Sequence, residues 1–186
     1  MTTEPMQVLV LGVTGSIAAY KAADLTSKLS QAGIPVQVIM TESARKLVCP
    51  QTFFTLSQRP VLTDLWTLPD WKPGHIDLAE RAALLLIAPA TANILAKMAQ
   101  GIADDMLSTY YLSHSGPVLV APAMNPRMWH HPATQNNCRI LQERGVQFLG
   151  PVSGKVACGP EGKGRMIATE EILAAAKACW DCREPR

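Results

Sequence analysis

Short runs of consecutive apolar residues alternate along this chain with longer segments in which apolar positions recur at helical spacing. The short runs predict strands covered on both faces, at residues 7–13, 36–40, 84–87, 118–120 and 146–149. We expect Pro89 and Pro122 to end the strands before them, because proline cannot donate a hydrogen bond to a sheet.

The longer segments predict helices at residues 17–32, 76–82, 93–100, 104–112, 133–144 and 169–180, one beginning near Pro126, and short helix mixed with loop over 50–73. The first helix is expected to turn one apolar face to the core, formed by Ile17, Tyr20, Ala23, Leu25 and Leu29. Glycine is a common helix stop signal, and it follows three of these segments as Gly33, Gly101 and Gly145.

Three local features complete this prediction. Ser43 is expected to cap the helix after the second strand, and Asp104 and Asp105 to lie in the first turn of their helix, where the dipole favours acidic side chains. The segment 154–164 is too rich in glycine and charge for a core element, and we expect a loop.

Strands that alternate with helices indicate an α/β fold with right-handed crossovers. The predicted architecture is a three-layer, Rossmann-like (flavodoxin-like) parallel sheet with helices on both faces. At 186 residues and 20.1 kDa, residues 1–186 are most simply a single domain.

Four turns should meet at the carboxyl edge of such a sheet, where open α/β sheets bind ligands. These turns comprise residues 14–16, 41–43, 89–93 and 122–125. All four are rich in small or hydroxyl side chains and in main-chain amides, which suits a phosphorylated ligand.

Composition narrows the function further. Charged residues make up only 17% of the chain, and we expect part of the surface to be buried against other subunits. The net charge is +2 and the basic residues are scattered, which disfavours nucleic-acid binding. No apolar run approaches 18 residues and the first residues do not resemble a signal peptide, so a cytoplasmic protein without membrane contact is expected.

The five cysteines are odd in number and scattered, which argues against a disulfide framework. Only Cys179 and Cys182 form a C-x-x-C pair, and no second pair completes a zinc site. We therefore predict no metal and assign these two thiols no role.

The first turn, G-V-T-G-S-I-A, places Gly15 and Ser16 at a helix N-terminus, where free amides and the helix dipole favour an anion. It is not G-x-G-x-x-G, and the acidic residue nearest the end of the second strand, Glu42, lies between Thr41 and Ser43. Hydroxyls there suit a mononucleotide phosphate better than a dinucleotide ribose. The alternative is an ordinary strand–helix turn.

Other rim residues also allow two interpretations. Asn125 can orient a ligand with its acceptor and two donors, or simply cap the helix that begins near Pro126. Thr91 and Asn93 are likewise either helix caps or ligand contacts, and these roles do not exclude each other.

His75 and Cys158 are candidates for proton transfer. An imidazole exchanges a proton near neutral pH, although most single histidines are structural. Cys158 lies among glycines with Lys155, Lys163 and Arg165 nearby, and positive neighbours favour the thiolate.

Taken together, these segments resemble a known family. G-S-I-A-A-Y-K, the single His75, P-A-T-A-N, P-A-M-N-x-x-M-W and A-C-G-x-x-G-x-G-R-M occur in this order in the flavin-containing cysteine decarboxylases. The likeness covers a core of about residues 7–175 and leaves 176–186 as a C-terminal tail. The fourth and fifth motifs together are highly specific, whereas the first alone is not.

The resemblance implies FMN as cofactor and phosphopantothenoylcysteine, of coenzyme A biosynthesis, as the small-molecule substrate. It places the cofactor on Gly15, Ser16, Ile17, Ala18, Thr41, Glu42, Ser43, Thr91, Ala92, Asn93, Ile94 and Ala123. It places the substrate on Asn125, Met128, Lys155, Ala157, Cys158 and Arg165. His75 is the implied base, Cys158 the implied proton donor and Asn125 the implied anchor of the substrate carboxylate.

The resemblance also implies a homotrimer or homododecamer with flavin sites at subunit contacts. In most bacteria this domain is fused to a phosphopantothenate–cysteine ligase domain, and this chain ends soon after its terminal helix. Ile94 is a departure, since many relatives carry threonine there.

Three alternatives remain at this point. A flavin prenyltransferase uses similar phosphate-binding turns but lacks the A-C-G segment, which this chain has at residues 157–159. A peptidyl-cysteine decarboxylase would act on a peptide terminus. A non-catalytic regulatory flavin-binding protein would not need His75, Asn125 and Cys158 together.

Overall fold

A parallel sheet forms the centre of the computed structural model. The structure describes residues 7–66, 74–155 and 161–182, and for residues 74 and 75 it describes the backbone alone. Its strands are β1 (Val8–Val13), β2 (Val36–Met40), β3 (Ala82–Ala90), β4 (Val118–Pro122) and β5 (Gln147–Phe148). They lie in the order β2-β1-β3-β4-β5, which is the flavodoxin-like order. The predicted fold class and all five predicted strands are confirmed.

Helices connect the strands and cover both faces of the sheet. They are α1 (Ala19–Gln31), α2 (Glu42–Arg45), α3 (Pro50–Ser57), α4 (Gly74–Arg81), α5 (Ala92–Gln100), α6 (Met106–Ser113), α7 (Pro126–His130), α8 (Pro132–Glu143) and α9 (Thr169–Asp181). Glycines at positive φ follow α1, α5 and α8, at Gly33, Gly101 and Gly145, as predicted. In the part of the chain that the structure describes, no helix combines the length and apolar character that a membrane span requires.

Two hydrophobic cores lie on opposite sides of the sheet, and the alternation along β1 separates them. Leu9, Leu11 and Val13 pack in the core that contains α1, α3 and α9, whereas Val8 and Val10 pack in the core that contains α5, α6 and α8. Every residue of β1 is therefore buried, as a central strand of a three-layer fold requires.

Of the two prolines predicted to end strands, only Pro89 behaves differently from the prediction. Pro89 lies inside β3, after a cis peptide bond, and Pro122 is the last residue of β4. Pro122 therefore ends β4 as predicted, whereas β3 continues past Pro89 to Ala90, across a shift in the β3–β4 register between Ile87 and Ala90. Each proline thus lies where the regular ladder is already interrupted, and its missing N–H removes no regular hydrogen bond.

The predicted buried face of α1 is partly wrong. Ile17 and Tyr20 are 58% and 63% exposed, and the buried face instead contains Ala19, Ala22 and Leu25, together with Leu29. Ile17 belongs to a turn that precedes the helix, and Tyr20 lies on the opposite side from Leu25. These two apolar side chains therefore flank the carboxyl edge of the sheet instead of the core.

Two predicted helix starts also need correction. Thr41, not Ser43, caps α2, because β2 ends at Met40 and the Thr41 hydroxyl accepts a hydrogen bond from the Ala44 N–H at 3.3 Å. Asp104 and Asp105 precede α6 instead of lying in its first turn: Asp105 is the cap, and both carboxylates pair with Lys97.

The segment 154–164, predicted to be a loop, is bounded by a two-stranded antiparallel hairpin. Its strands are β6 (Val152–Gly154) and β7 (Gly162–Arg165). Main-chain pairing holds it and α7 packs beside it, so it needs no apolar alternation of its own. The hairpin brings Arg165 to the carboxyl edge of the parallel sheet.

Candidate functional site

Four turns at the carboxyl edge of the sheet are joined by hydrogen bonds. The Thr41 N–H donates to Val13 O at 3.0 Å and thereby joins the turn after β2 to the end of β1. The Ala123 N–H donates to Ala90 O at 3.0 Å and joins the turns after β4 and β3. Between these two links, the Thr14 hydroxyl joins β1 to β3. The four turns therefore form one continuous rim.

The turn after β1 lies against the turn after β2. A Cβ on Gly15 would lie 2.4 Å from the Cβ of Ser43, so only glycine allows this approach. Ser16 then precedes α1, and its hydroxyl accepts a long hydrogen bond of 3.4 Å from the Ala18 N–H. The predicted phosphate-binding residues of two turns are thus brought together at one helix N-terminus.

The turn after β3 leads into α5. The Thr91 hydroxyl accepts a hydrogen bond from the Ile94 N–H at 3.3 Å, so the capping interpretation of Thr91 holds. The Ile94 side chain is 1% exposed and belongs to the hydrophobic core, whereas Asn93 is exposed. The Ile94 side chain therefore packs in the core and does not line the cavity described below.

A cavity of about 240 Å³ lies between the start of α1, the turn after β4 and the hairpin. Its lining comprises Ser16, Ile17, Ala18, Tyr20, Lys21, Ala123, Met124, Asn125, Lys155, Gly164, Arg165 and Met166. Seven of the predicted site residues belong to this lining. Residues 41–43 and 91–94 lie further along the rim and do not line the cavity.

Five lining residues were not predicted from the sequence, namely Tyr20, Lys21, Met124, Gly164 and Met166. All five belong to the sequence motifs that carry the family resemblance, so these motifs could have indicated their place at the site. The helical spacing of Tyr20 predicts a core position, but Tyr20 is exposed and lines the cavity. Met128, which was predicted to bind substrate, is 49% exposed and lies one helical turn beyond Asn125, outside the lining.

Asn125 caps α7, as one interpretation of the sequence predicts, and it also lines the cavity. Its side-chain oxygen accepts a hydrogen bond from the Arg127 N–H at 2.9 Å and caps α7. The same residue lines the cavity, and Trp129, which is 8% exposed, anchors the helix behind it. Capping thus fixes the orientation of the amide at the cavity wall.

The cavity is electropositive. Lys21, Lys155 and Arg165 line it, and no carboxylate occurs among the described residues of its lining. The Arg165 guanidinium lies across Gly154, where a Cβ would be 3.0 Å from the guanidinium carbon. The arrangement suits an anionic ligand with more than one charged group.

The side chains of the three remaining predicted residues, His75, Ala157 and Cys158, lie outside the described parts of the structure. The backbone of His75 belongs to the first turn of α4, but its side chain is not described. Ala157 and Cys158 fall between residues 155 and 161. Their roles stay predictions.

The flavodoxin-like sheet order and the rim of four turns at its carboxyl edge define this chain as an α/β protein of the flavodoxin-like type. Residues 2–179 match the Flavoprotein family. The chain belongs to this family.

Curated relatives extend the comparison. The chain is 49% identical over 172 residues to the coenzyme A biosynthesis bifunctional protein CoaBC of Bacillus subtilis (strain 168), covering 91% of this chain and 42% of that protein. It is 43% identical over 175 residues to the protein of the same name from Vibrio vulnificus (strain YJ016), covering 94% and 44%. The chain thus spans less than half the length of these relatives.

Solved structures share the whole fold. A PPC decarboxylase mutant complexed with pantothenoylaminoethenethiol has a TM-score of 0.83 at 27% identity, over 95% of this chain and 99% of that chain. The FMN-dependent cysteine decarboxylase SpaF has a TM-score of 0.78 at 31% identity, over 94% and 98%. The FMN binding protein AtHal3 has a TM-score of 0.82 at 28% identity, over 96% and 99%.

Proposed function

We propose that this chain binds FMN and decarboxylates 4′-phospho-N-pantothenoylcysteine to 4′-phosphopantetheine in coenzyme A biosynthesis. The observation that carries the proposal is the cavity that unites the Ser16 turn, Asn125 and the cations Lys155 and Arg165. Family membership, the CoaBC relatives and the similarity to a PPC decarboxylase structure support the same reaction.

The residues of the rim fit FMN. The close approach of Gly15 to Ser43 concentrates hydroxyls and main-chain amides at the start of α1, which suits a phosphate monoester. The small side chains of Ala92 and Ala123 leave space for a flat ring along the next two turns. We therefore assign the phosphate to the turns at residues 15–18 and 41–43, and the rest of the cofactor to residues 91–94 and 123.

When bound, FMN supplies a hydride acceptor for the carbon that bears sulfur and later returns the hydride, so that loss of carbon dioxide no longer requires an unstabilised carbanion. The protein positions the substrate for this chemistry. Asn125 orients the substrate carboxylate. Its contribution to the rate can be large, because holding the reacting groups in the productive orientation lowers the entropic part of the barrier. Lys21, Lys155 and Arg165 neutralise the substrate phosphate and carboxylate at the cavity.

Proton transfer is assigned to the two residues implied by the family resemblance. His75 serves the oxidative half as a base or keeps the substrate groups correctly ionised, and Cys158 donates a proton in the reductive half. A Cys158→Ser variant is expected to release carbon dioxide but not to form the saturated product. Normal 4′-phosphopantetheine at the wild-type rate would contradict this assignment.

We further propose assembly as a homotrimer or homododecamer and cooperation with a phosphopantothenate–cysteine ligase domain or protein in the cytoplasm. Ile17 and Tyr20, exposed beside the cavity, support a subunit contact at this edge. The CoaBC relatives, whose name denotes bifunctional proteins, support the link to a second activity.

Two measurements test the proposed function. Purified protein should show flavin absorbance at ~450 nm, as expected of a bound flavin. The mass of the product should be that of the substrate less carbon dioxide. A peptide ending in cysteine serves as the comparison substrate. Turnover of the peptide alone would favour a peptidyl-cysteine decarboxylase, and an inert, flavin-loaded protein would reject both enzymes.

A further inference from the structure

One side chain connects two halves of the rim. The Thr41–Val13 hydrogen bond between the turns after β2 and β1, and the Ala123–Ala90 hydrogen bond between those after β4 and β3, each join two main-chain groups. The link between the turn after β1 and the turn after β3 is made by the hydroxyl of Thr14. Unlike the other two, this link can be removed by a single substitution.

Thr14 occupies the point where the β1–β3 ladder ends. The last paired residues of the two strands are Gly12 and Ile87. Two residues later the Thr14 hydroxyl donates to Pro89 O at 2.7 Å and accepts from the Thr91 N–H at 3.1 Å. Thr14 is 2% exposed, so water does not readily replace either bond.

We propose that Thr14 is a positioning residue that sets the distance between the phosphate-binding turn and the turn that begins at Thr91. The proposal rests on the function proposed above, because it assigns the two turns to the two ends of one FMN molecule. Without the hydroxyl, the Pro89 carbonyl and the Thr91 N–H must find water, and the turns move apart. Cofactor binding then has to restore their spacing, and this cost appears as lost affinity.

The decisive substitution is Thr14→Val, which preserves shape and removes the hydroxyl. FMN dissociation constants are measured by quenching of flavin fluorescence on addition of the apoprotein. We expect Thr14→Val to bind FMN about tenfold more weakly, which is the effect typical of losing one buried hydrogen-bonding group. Thr14→Ser retains the hydroxyl and should bind within about threefold of the wild type, a smaller loss than that expected for Thr14→Val.

Thr26→Val is the matched control. Thr26 is also buried, but its hydroxyl donates at 2.7 Å to Ala22 O, within the same helix α1. This variant should lose stability without losing affinity for FMN. If Thr14→Val does not fold, Thr14→Ala replaces it, since its smaller side chain leaves room for a water molecule.

Riboflavin, which lacks the phosphate, distinguishes positioning from a general structural effect. It cannot bridge the two turns, so Thr14→Val should weaken riboflavin binding less than FMN binding. Three results would overturn the inference about Thr14 and leave the proposed function intact. The first is equal FMN affinity of folded Thr14→Val and wild type, and the second is an equal loss of affinity for FMN and riboflavin in Thr14→Val. The third is a loss of FMN affinity in Thr26→Val equal to that in Thr14→Val. A wild-type protein that binds no FMN would instead reject the proposed function, and the inference with it.

Discussion

The main-chain N–H of Met124 donates to the carbonyl of Gly164 at 3.0 Å, and this bond joins the turn after β4 to the hairpin. A Cβ on Gly164 would lie 2.4 Å from the Met124 carbonyl oxygen, so the two backbones meet without an intervening side chain. Asn125 and Arg165, the next residues along the two segments, are therefore held at a fixed separation across the cavity.

Gly164→Ala is expected to push the hairpin away from this turn. The new methyl group meets main-chain atoms, which cannot rotate aside, so the stability should fall by about 1–3 kcal/mol. Catalytic efficiency should fall about tenfold or more, because a small displacement of binding groups is costly. FMN binding should persist, since the phosphate turn is not involved. Thermal unfolding, flavin absorbance and steady-state kinetics measure the three effects.

Gly145→Ala is the control for this variant. Gly145 has a φ of 84°, and a Cβ there would contact nothing within 4 Å. The substitution costs about 1–2 kcal/mol through backbone strain alone. Equal losses of activity in the two variants would show that Gly164 contributes only stability.

Substitutions at Asn125 should separate capping from substrate binding. Asn125→Asp keeps an oxygen that accepts from the Arg127 N–H, so stability should change by less than about 0.5 kcal/mol. Its carboxylate repels the substrate carboxylate, and activity should fall about 100-fold or more. Asn125→Ala should lose both activity and about 1 kcal/mol of stability. Wild-type turnover by Asn125→Asp would contradict the role as a carboxylate anchor.

The ion pairs of Lys28 should make stability depend on pH. The hydrogen bond from Lys28 lowers the pKa of Asp24 below its ordinary value of 3.8, and that of Glu170 on α9 below 4.5. A carboxyl whose pKa is lower in the folded state stabilises the protein above its unfolded pKa, and this contribution is lost as the pH falls through the folded pKa.

Lys28→Met should therefore be less stable than the wild type near pH 7, and the difference should shrink below about pH 4. Unfolding by urea across this pH range measures it. The control is Lys46→Met, which removes an exposed pair with Glu42 and should have almost no effect. A difference for Lys28→Met that persists undiminished at pH 2 would exclude the linkage.

The described cysteines should differ in reactivity. Burial raises the pKa of the Cys138 thiol to about 11, so little thiolate forms at pH 8 and the side chain is also inaccessible. Cys49 and Cys182 are exposed and should be alkylated by iodoacetamide before Cys138. Mass spectrometry of peptides after brief labelling tests this order. Early modification of Cys138 in folded protein would contradict its burial.

Much of the fold could be predicted because each strand is buried on both faces and therefore appears as an uninterrupted apolar run, as in β1. The orientation of α1 could not be predicted. Ile17 and Tyr20 are apolar but lie exposed beside the cavity, so the apolar spacing in this segment does not mark the buried face alone. The β6–β7 hairpin could not be predicted either. Glycine and charged residues form it through main-chain pairing, which leaves no periodic pattern of apolar side chains.

The candidate site was predictable to a similar extent. Sequence placed Ser16 and Asn125 at the carboxyl edge, because strand ends and turns are visible in the pattern. It could not show that capping and cavity lining coincide at Asn125, or that Thr14 joins two turns, since both depend on contacts between segments far apart in the chain.

The continuous rim also limits the dimensions of any molecule that binds along it. Neighbouring strands are about 4.8 Å apart, so the turns that follow β2 and β4 are separated by roughly 14 Å. A ligand that contacts both must be elongated and must lie across the strand direction. Compact anions of the size of free phosphate can occupy only one end of the rim. The rim therefore selects ligands by their length as well as by the atoms that it contacts.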